Sequence, residues 1–250
     1  MLSVALRPQA AEAQERTRFL RWSYQDAWAL AVEGGARAPL ILGSTGLLAS
    51  ASQLDPMMLD GVQAQKAGPL VDPFLDATNG LGDSSVPLLA AGVFGASLAI
   101  ENPRFQDAAF TSLQSLVYAR LLTSTLKGVV GRSRPDAEQG VHRFTPFSGR
   151  TSFPSGHATT AFALVTPWVL YYPHPATYSL FALSTGTAVA RMAKDRHWPT
   201  DVIAGAAVGF FVARFLTRLH QGERSRLQDL SVAPAVRPDA VGVSLRLSID

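Results

Sequence analysis

From Thr151 to Ala190 the chain runs forty residues without an Asp, Glu, Lys or Arg, and no other feature constrains its fold as much. A segment with so little to offer water must bury most of itself in a protein core or in lipid. Ala38 to Leu54, Ser84 to Ile100 and Val202 to Ala213 are also free of charge. The break Tyr172-Pro173-His174-Pro175 divides the longest run, because proline removes a backbone donor and disfavours helix in the residue before it. Phe105 to Val130 is helix-compatible too, but Gln114, Arg120 and several Ser and Thr suit the inside of a bundle rather than a lipid-facing surface. The pattern predicts an all-α helical bundle of five to six long helices, about 39–53, 84–100, 106–130, 155–172, 176–193 and 199–219. Single-residue alternation occurs only at Val241, Val243, Leu245, Leu247 and Ile249, a short C-terminal strand-like tail with no evident partner in a helical domain.

Charged residues make up 16% of the chain, against roughly 25% in an average soluble domain, and the mean hydropathy is +0.13. Both point to a membrane-embedded bundle. A 17-residue run gives only about 25 Å of helix against ~30 Å of hydrocarbon, so a soluble bundle with a buried core is the competing reading. Gly43, Gly46, Gly92, Gly95, Gly205 and Gly209 recur three or four apart on apolar faces, the spacing that lets membrane helices approach closely, and favour the membrane. The expected organisation is an N-terminal amphipathic or basic segment (1–38), a helical domain (39–219) with its core at about 105–215, and a tail (220–250). Ala11-Glu12-Ala13 looks like a cleavage site, but the apolar stretch before it is only Leu2 to Leu6, so a complete signal peptide is not expected. Insertion would then proceed through the first helix, unless the chain starts inside a longer precursor. With no cysteine, disulfides, thiol nucleophiles and thiolate metal sites are excluded, and a dispersed net charge of +3 argues against a nucleic-acid partner.

Three polar clusters stand out. Lys127-Gly128-Val129-Val130-Gly131-Arg132-Ser133-Arg134-Pro135 closes the third predicted helix, and Pro135 frees Arg134 to swing in from a loop, so that Lys127 and Arg134 can address one dianion. Ordinary cations at a helix C-terminus would look the same. Pro154-Ser155-Gly156-His157 opens a helix with Ser155 as N-cap, unpaired N–H groups at a positive dipole end, and an imidazole at the rim of that anion site. In Arg191-Met192-Ala193-Lys194-Asp195-Arg196-His197-Trp198-Pro199-Thr200-Asp201, Pro199 suits the first turn of the last helix. Asp201 can then bind one ring nitrogen of His197 and leave the other unprotonated toward a substrate.

Taken in chain order, Lys-x6-Arg-Pro, Pro-Ser-Gly-His and Arg-x5-His-x3-Asp resemble the motifs of the type 2 phosphatidic acid phosphatase superfamily, which includes lipid phosphate phosphatases, bacterial class A acid phosphatases and vanadium haloperoxidases. The likeness covers about residues 105–215, and His197 to Gly205 is similar to the bacterial membrane members. The resemblance implies a nucleophilic His197 oriented by Asp201, with His157 protonating the leaving group and then activating water. It also implies that Lys127, Arg134, Arg191 and the N–H groups of Ser155 and Gly156 bind the phosphoryl oxygens. No metal or cofactor is expected, since cations and a helix N-terminus supply the positioning and charge stabilisation that phosphoryl transfer needs. Position 190 departs from the pattern, with Ala where the family commonly has Ser, a loss on the order of 1 kcal/mol if it removes one neutral hydrogen bond.

The resemblance thus implies a phosphatase acting on a phospholipid or isoprenoid phosphate in the membrane, through a phosphohistidine. A soluble periplasmic acid phosphatase and a vanadium-dependent haloperoxidase are the alternatives. The motifs require one face to hold the ends of helices three and five and the starts of four and six. Once the phosphate ligands are set aside, the opposite face holds more Arg and Lys, and the stretch from Asp55 to Asp83 reads as an acidic loop on the active face, which together predict a bacterial inner-membrane protein with its site toward the periplasm. His142, His174 and His220 match no motif and are expected at the surface. Asp195 and Arg196 are expected in local ion pairs or rim contacts, and Trp22, Trp28, Trp168 and Trp198, with Tyr171 and Tyr172, in an interfacial belt or in the core.

Overall fold

The computed structural model describes residues 9–36, 47–48, 50–65, 71–222, 230–237 and 240–247. The chain forms α1 (Gln9–Ala36), α2 (Asp55–Gln65), α3 (Val71–Asn79), α4 (Val86–Ser97), α5 (Pro103–Val130), α6 (Gly156–Tyr171), α7 (Pro175–Ala193) and α8 (Pro199–His220). The fold class expected from the charge-free runs is thus an observed property of the molecule. The last four helices lie within a few residues of the expected ranges, because their end signals are local. Asn102 caps α5 by accepting from the Phe105 N–H at 3.1 Å, His174 caps α7, and prolines occupy the first turns of α5, α7 and α8.

Other expectations need revision. Most of the helix expected over 39–53, with Gly43 and Gly46, lies outside the described residues. The stretch from Asp55 to Asp83, read as an acidic loop, is largely the helices α2 and α3, whose shortness and mixed composition hide the periodicity that a longer helix shows. The strand-like tail does find a partner. β1 (Leu230–Arg237) pairs antiparallel with β2 (Ala240–Leu247), so the tail supplies both strands of its own hairpin.

The centre of the bundle is α5, α6 and α8. Leu116 and Ala119 of α5, Ala163 of α6, and Val212 and Leu216 of α8 pack together with Val86 and Ala90 of α4. Glycine sets how close α6 and α8 come. A Cβ at Gly205 would run into the Ser155 carbonyl, and one at Gly209 into the carbonyl of Thr159 and the backbone of Ala163. Gly92 and Gly95 differ, since a Cβ there would meet nothing within 4 Å. The expected close-approach role therefore holds for the α8 pair and fails for the α4 pair.

α1 joins the far end of the bundle through aromatic packing and a buried polar link. Phe19 and Trp22 pack on Phe110, and His220 stacks on Trp22 with centroids 3.9 Å apart. The His220 ring bonds Asp26 Oδ2 and Thr111 Oγ1, each at 2.7 Å. His220 is therefore a buried interhelical tie rather than a surface residue. His174 and His142 are exposed, as expected. Trp22 and Trp198 are buried and leave the proposed belt, while Trp28 stays exposed.

The contrast between the two glycine pairs is testable by thermal unfolding in detergent. Gly209→Val should lower stability by about 1–3 kcal/mol through overpacking. Gly92→Ala should leave it unchanged or raise it by up to about 1 kcal/mol through helix propensity.

Candidate active site

α5 ends where Gly131, at φ 58°, turns the chain and bonds back to the Lys127 carbonyl at 3.0 Å. A side chain at Gly131 would strike the Thr145 carbonyl of the returning loop, so both the left-handed conformation and the contact demand glycine. The chain then runs extended through Arg134 into Pro135. Lys127 thus enters from the last helical turn and Arg134 from an extended segment, as expected. They meet at Thr151, whose carbonyl accepts from Lys127 Nζ and whose hydroxyl accepts from Arg134 Nη2 at 3.3 Å.

At the start of α6, Ser155 is the N-cap, its hydroxyl accepting from the Ala158 N–H at 3.5 Å. One expectation fails here. The N–H of Ser155 donates to the Asp201 carbonyl at 2.8 Å, so it is not free to bind a phosphoryl oxygen. Ser155 instead fastens the start of α6 to α8, and Gly156 provides the first helical N–H. Lys127 lies over this position, since a Cβ on Gly156 would sit 3.7 Å from its Cε.

His197 lies in the turn between α7 and α8 and is 2% exposed. Its Nδ1 is 3.7 Å from Asp201 Oδ2, inside ion-pair range but longer than a hydrogen bond. Asp201 is held by other donors: Arg132 Nη1 at 2.7 Å on Oδ1, and Ser152 Oγ at 2.5 Å and the Trp198 N–H at 2.9 Å on Oδ2. The expected His197–Asp201 pair is present as an electrostatic neighbour. Burial pushes the His197 imidazole down from 6.5 to about 4, opposed by Asp201 and reinforced by Lys127 and Arg134.

His157 stands in the first turn of α6, its Nε2 3.3 Å from Asp83 Oδ1. Arg191 closes α7 and donates from Nη1 to Asn79 Oδ1 at 3.2 Å. Lys127, Arg134 and Arg191 are near enough to act on one another electrostatically, and Arg191 also acts on His157. Arg134 Nε, Arg191 Nε and His197 Nδ1 are buried nitrogens without a hydrogen-bond partner among the described residues. Ala190 is fully buried beside Leu75 and Ala193, so the position that differs from the family pattern faces an apolar contact. Asp195 accepts from Gln63 at 2.7 Å and Arg196 pairs with Asp136 at 3.1 Å, the local contacts expected of them. Among the described residues no group of three His, Asp or Glu is placed to hold a metal ion.

Sequence reasoning missed the support beneath these residues. Arg132 is 1% exposed, and besides Asp201 it donates to Asp55 Oδ2 at 2.6 Å, Thr200 Oγ1 at 2.8 Å and the Val141 carbonyl at 3.1 Å. Asp55 in turn accepts from the Thr200 N–H at 2.8 Å and hydroxyl at 2.6 Å. The only available signal was position, since Arg132 sits between two motif cations.

A model of the PAP2 superfamily matches residues 108–225. The chain is 39% identical over 100 residues to a lipid A 1-phosphatase of Rhizobium etli, covering 38% of this chain and 43% of that protein. It is 38% identical over 85 residues to a lipid A 1-phosphatase of Porphyromonas gingivalis, covering 33% of this chain and 17% of that protein. The matched segments span less than half the length of these relatives. Two solved structures share the fold. Aquifex aeolicus LpxE aligns with a TM-score of 0.51 at 19% identity, covering 66% of this chain and 95% of that one. A transmembrane PAP2 type phosphatidylglycerolphosphate phosphatase from Bacillus subtilis aligns with a TM-score of 0.55 at 22% identity, covering 76% of this chain and 97% of that one.

The depressed basicity of His197 sets a pH limit. A folded value near 4 keeps the ring neutral through the range in which a free imidazole, at 6.5, takes up a proton. If the neutral ring is required, the acid limb of kcat/KM, corrected for the substrate's own ionisation, should fall below pH 5.5. A limb at 6.5 would contradict the burial argument. The unfolded chain takes up this proton first, so acidification between those values should also favour unfolding.

Proposed function

We propose that the chain, whose residues 108–225 match a model of the PAP2 superfamily, is a membrane lipid phosphatase that works without a metal through a phosphohistidine on His197. The observation carrying this reading is the pair of buried, unpartnered Nε atoms on Arg134 and Arg191, gathered with Lys127 at the N-terminus of α6. Buried donors without partners are costly, and a tetrahedral anion is the ligand that three cations and a helix N-terminus would satisfy together.

In the proposed reaction Nε2 of neutral His197 attacks phosphorus. The bond from phosphorus to the ester oxygen breaks, and that oxygen takes a proton from His157. Water then gives a proton to His157 as its oxygen attacks phosphorus, breaking the P–N bond and releasing inorganic phosphate. Asp201, close to Nδ1, stabilises the charge that the ring gains on attack. Lys127, Arg134, Arg191 and the Gly156 N–H hold the oxygens, each such donor being worth about 10²–10³ in rate.

The lipid A 1-phosphatases among the relatives make the 1-phosphate of lipid A the first substrate to try, with phosphatidate, phosphatidylglycerol phosphate and isoprenyl pyrophosphate as further lipid phosphates. An apolar exterior supports a membrane setting over a soluble acid phosphatase. Leu88 and Leu89 of α4, Val117 and Leu121 of α5, and Ile203 and Phe211 of α8 are all exposed. α8 is also long and apolar enough to cross a bilayer. The reading puts the phosphatase unit within 39–219 with its site outside a bacterial inner membrane, because with the phosphate ligands set aside the loops assigned to the opposite face carry more Arg and Lys.

Purified protein should release phosphate from at least one of these lipids in excess EDTA. Vanadate should inhibit, and His197→Ala should lower kcat by more than about 10³. Absence of release from all of them, or a fully active His197→Ala, contradicts the reading. Because the chain has no cysteine, an exposed Ala137→Cys reports sidedness. An impermeant thiol reagent should label it on intact spheroplasts, and protection until lysis would reverse the orientation.

A further inference from the structure

The proposed reaction asks two things of His157, to protonate a leaving oxygen and later to accept a proton from water. The surroundings make the first task harder, because the ring is mostly withdrawn from water, Arg191 and Arg120 both act on it, and Lys127 lies over its neighbour Gly156. The structure contains a counterweight on an element that none of the motifs includes. α3 ends at Asn79, and a short 3₁₀ turn, Gly80–Gly82, brings the chain across the mouth of the site to Asp83.

This turn is seated on the site at several points. Asn79 accepts from Arg191 at 3.2 Å. The carbonyl of Thr78 accepts from Thr187 Oγ1 at 2.5 Å, tying the end of α3 to α7. The absence of a side chain at Gly186 allows that approach, since a Cβ there would crowd Thr78 and Phe74. Gly82 lies directly against His157, and a Cβ on it would overlap the imidazole and its own Cβ. Asp83, half exposed, then presents Oδ1 at 3.3 Å from His157 Nε2. An exposed ion pair alone is worth little. Here the backbone beside it is fixed by the Gly82 contact and by Asn79 and Thr78, so the carboxylate is placed rather than free to wander.

We propose that Asp83 is a positioning residue for His157 in the phosphoryl-transfer step: it holds the Nε2–H and leaves Nδ1 as the nitrogen that passes the proton to the leaving oxygen. The inference rests on the phosphatase reading and on the role of His157 within it. In the phosphorylation half-reaction the P–O ester bond breaks as the P–N bond to His197 forms, and the proton on His157 Nδ1 goes to the departing oxygen. Asp83 keeps its own proton balance unchanged and stabilises the imidazolium until transfer.

The test exploits leaving-group chemistry. An alkoxide leaves poorly unless protonated, whereas a nitrophenolate leaves without help, so a defect in the proton donor appears with the first and not with the second. For the full chain in detergent, kcat/KM reports only the phosphorylation step, and it would be measured on a lipid phosphate and on p-nitrophenyl phosphate. Asp83→Asn should lower the lipid value about tenfold or more while leaving the aryl value within about threefold, with Asp83→Glu restoring most of the loss. His157→Ala should show the same selectivity more strongly. Equal losses on both esters, in Asp83→Asn and Asp83→Ser alike, would mean a structural role and overturn the inference, as would no loss on either. If His157→Ala spares the lipid ester, or the unmodified protein cleaves neither ester, the underlying reading fails and takes the inference with it. A selective His157→Ala beside an unselective Asp83→Asn leaves that reading standing and removes only Asp83.

Discussion

A guanidinium almost sealed from water, Arg132 between Asp55 and Asp201, is the constraint on which the rest of the site depends. Charges taken out of water this far are tolerated only when their hydrogen-bonding groups are satisfied, and removing one partner of such a set costs about 3–5 kcal/mol. The geometry meets that condition. Arg132 donates to two carboxylates, a hydroxyl and a carbonyl. Asp201 accepts from three donors, and Asp55 reaches the N–H of Thr200 in the first turn of α8. One cation thereby joins the extended segment after α5, the start of α2 and the start of α8, and fixes the turn that carries His197.

Helix packing supplies the other half of the geometry. Gly205 and Gly209 bring the backbone of α8 against α6, and the Ser155 N–H completes the joint on the Asp201 carbonyl. His157, in the first turn of α6, and the turn that leads His197 into α8 are thus held at a separation set by glycine rather than by adjustable side chains. Rigid placement matters because phosphoryl transfer leaves the protein little to do beyond positioning and charge stabilisation. The same packing buries His197 and keeps its ring neutral, as the nucleophilic role proposed for it requires.

Much of the site was legible in the sequence where chemistry and local structure coincide. Pro135 and Pro199 mark where helices stop and start, Ser155 caps, and the motif cations surround a helix N-terminus. What escaped were partners distant in sequence and short helices without a clear period. Asp55, Asn79 and Asp83 come from α2, α3 and the turn after it, where 55–83 reads as an acidic loop. Arg132 escaped because arginine is ordinarily exposed, and nothing in one sequence shows that two distant carboxylates will enclose it. His220 escaped for a similar reason, its partners Asp26 and Thr111 lying on two other helices. The Ser155 N–H was assigned to substrate because an N-cap motif does not reveal which carbonyl the neighbouring helix brings to it.

Passage of phosphate through His197 before it reaches water is tested most directly by the stereochemistry at phosphorus. Two in-line displacements retain configuration, and one inverts it. A substrate made chiral at phosphorus with oxygen isotopes and sulfur should therefore give product of retained configuration. In His157→Ala, denaturing quench with an aryl phosphate should leave an acid-labile, alkali-stable phosphate on His197. Inversion, with no adduct on His197 at any time during turnover, would show direct attack by water and contradict the account.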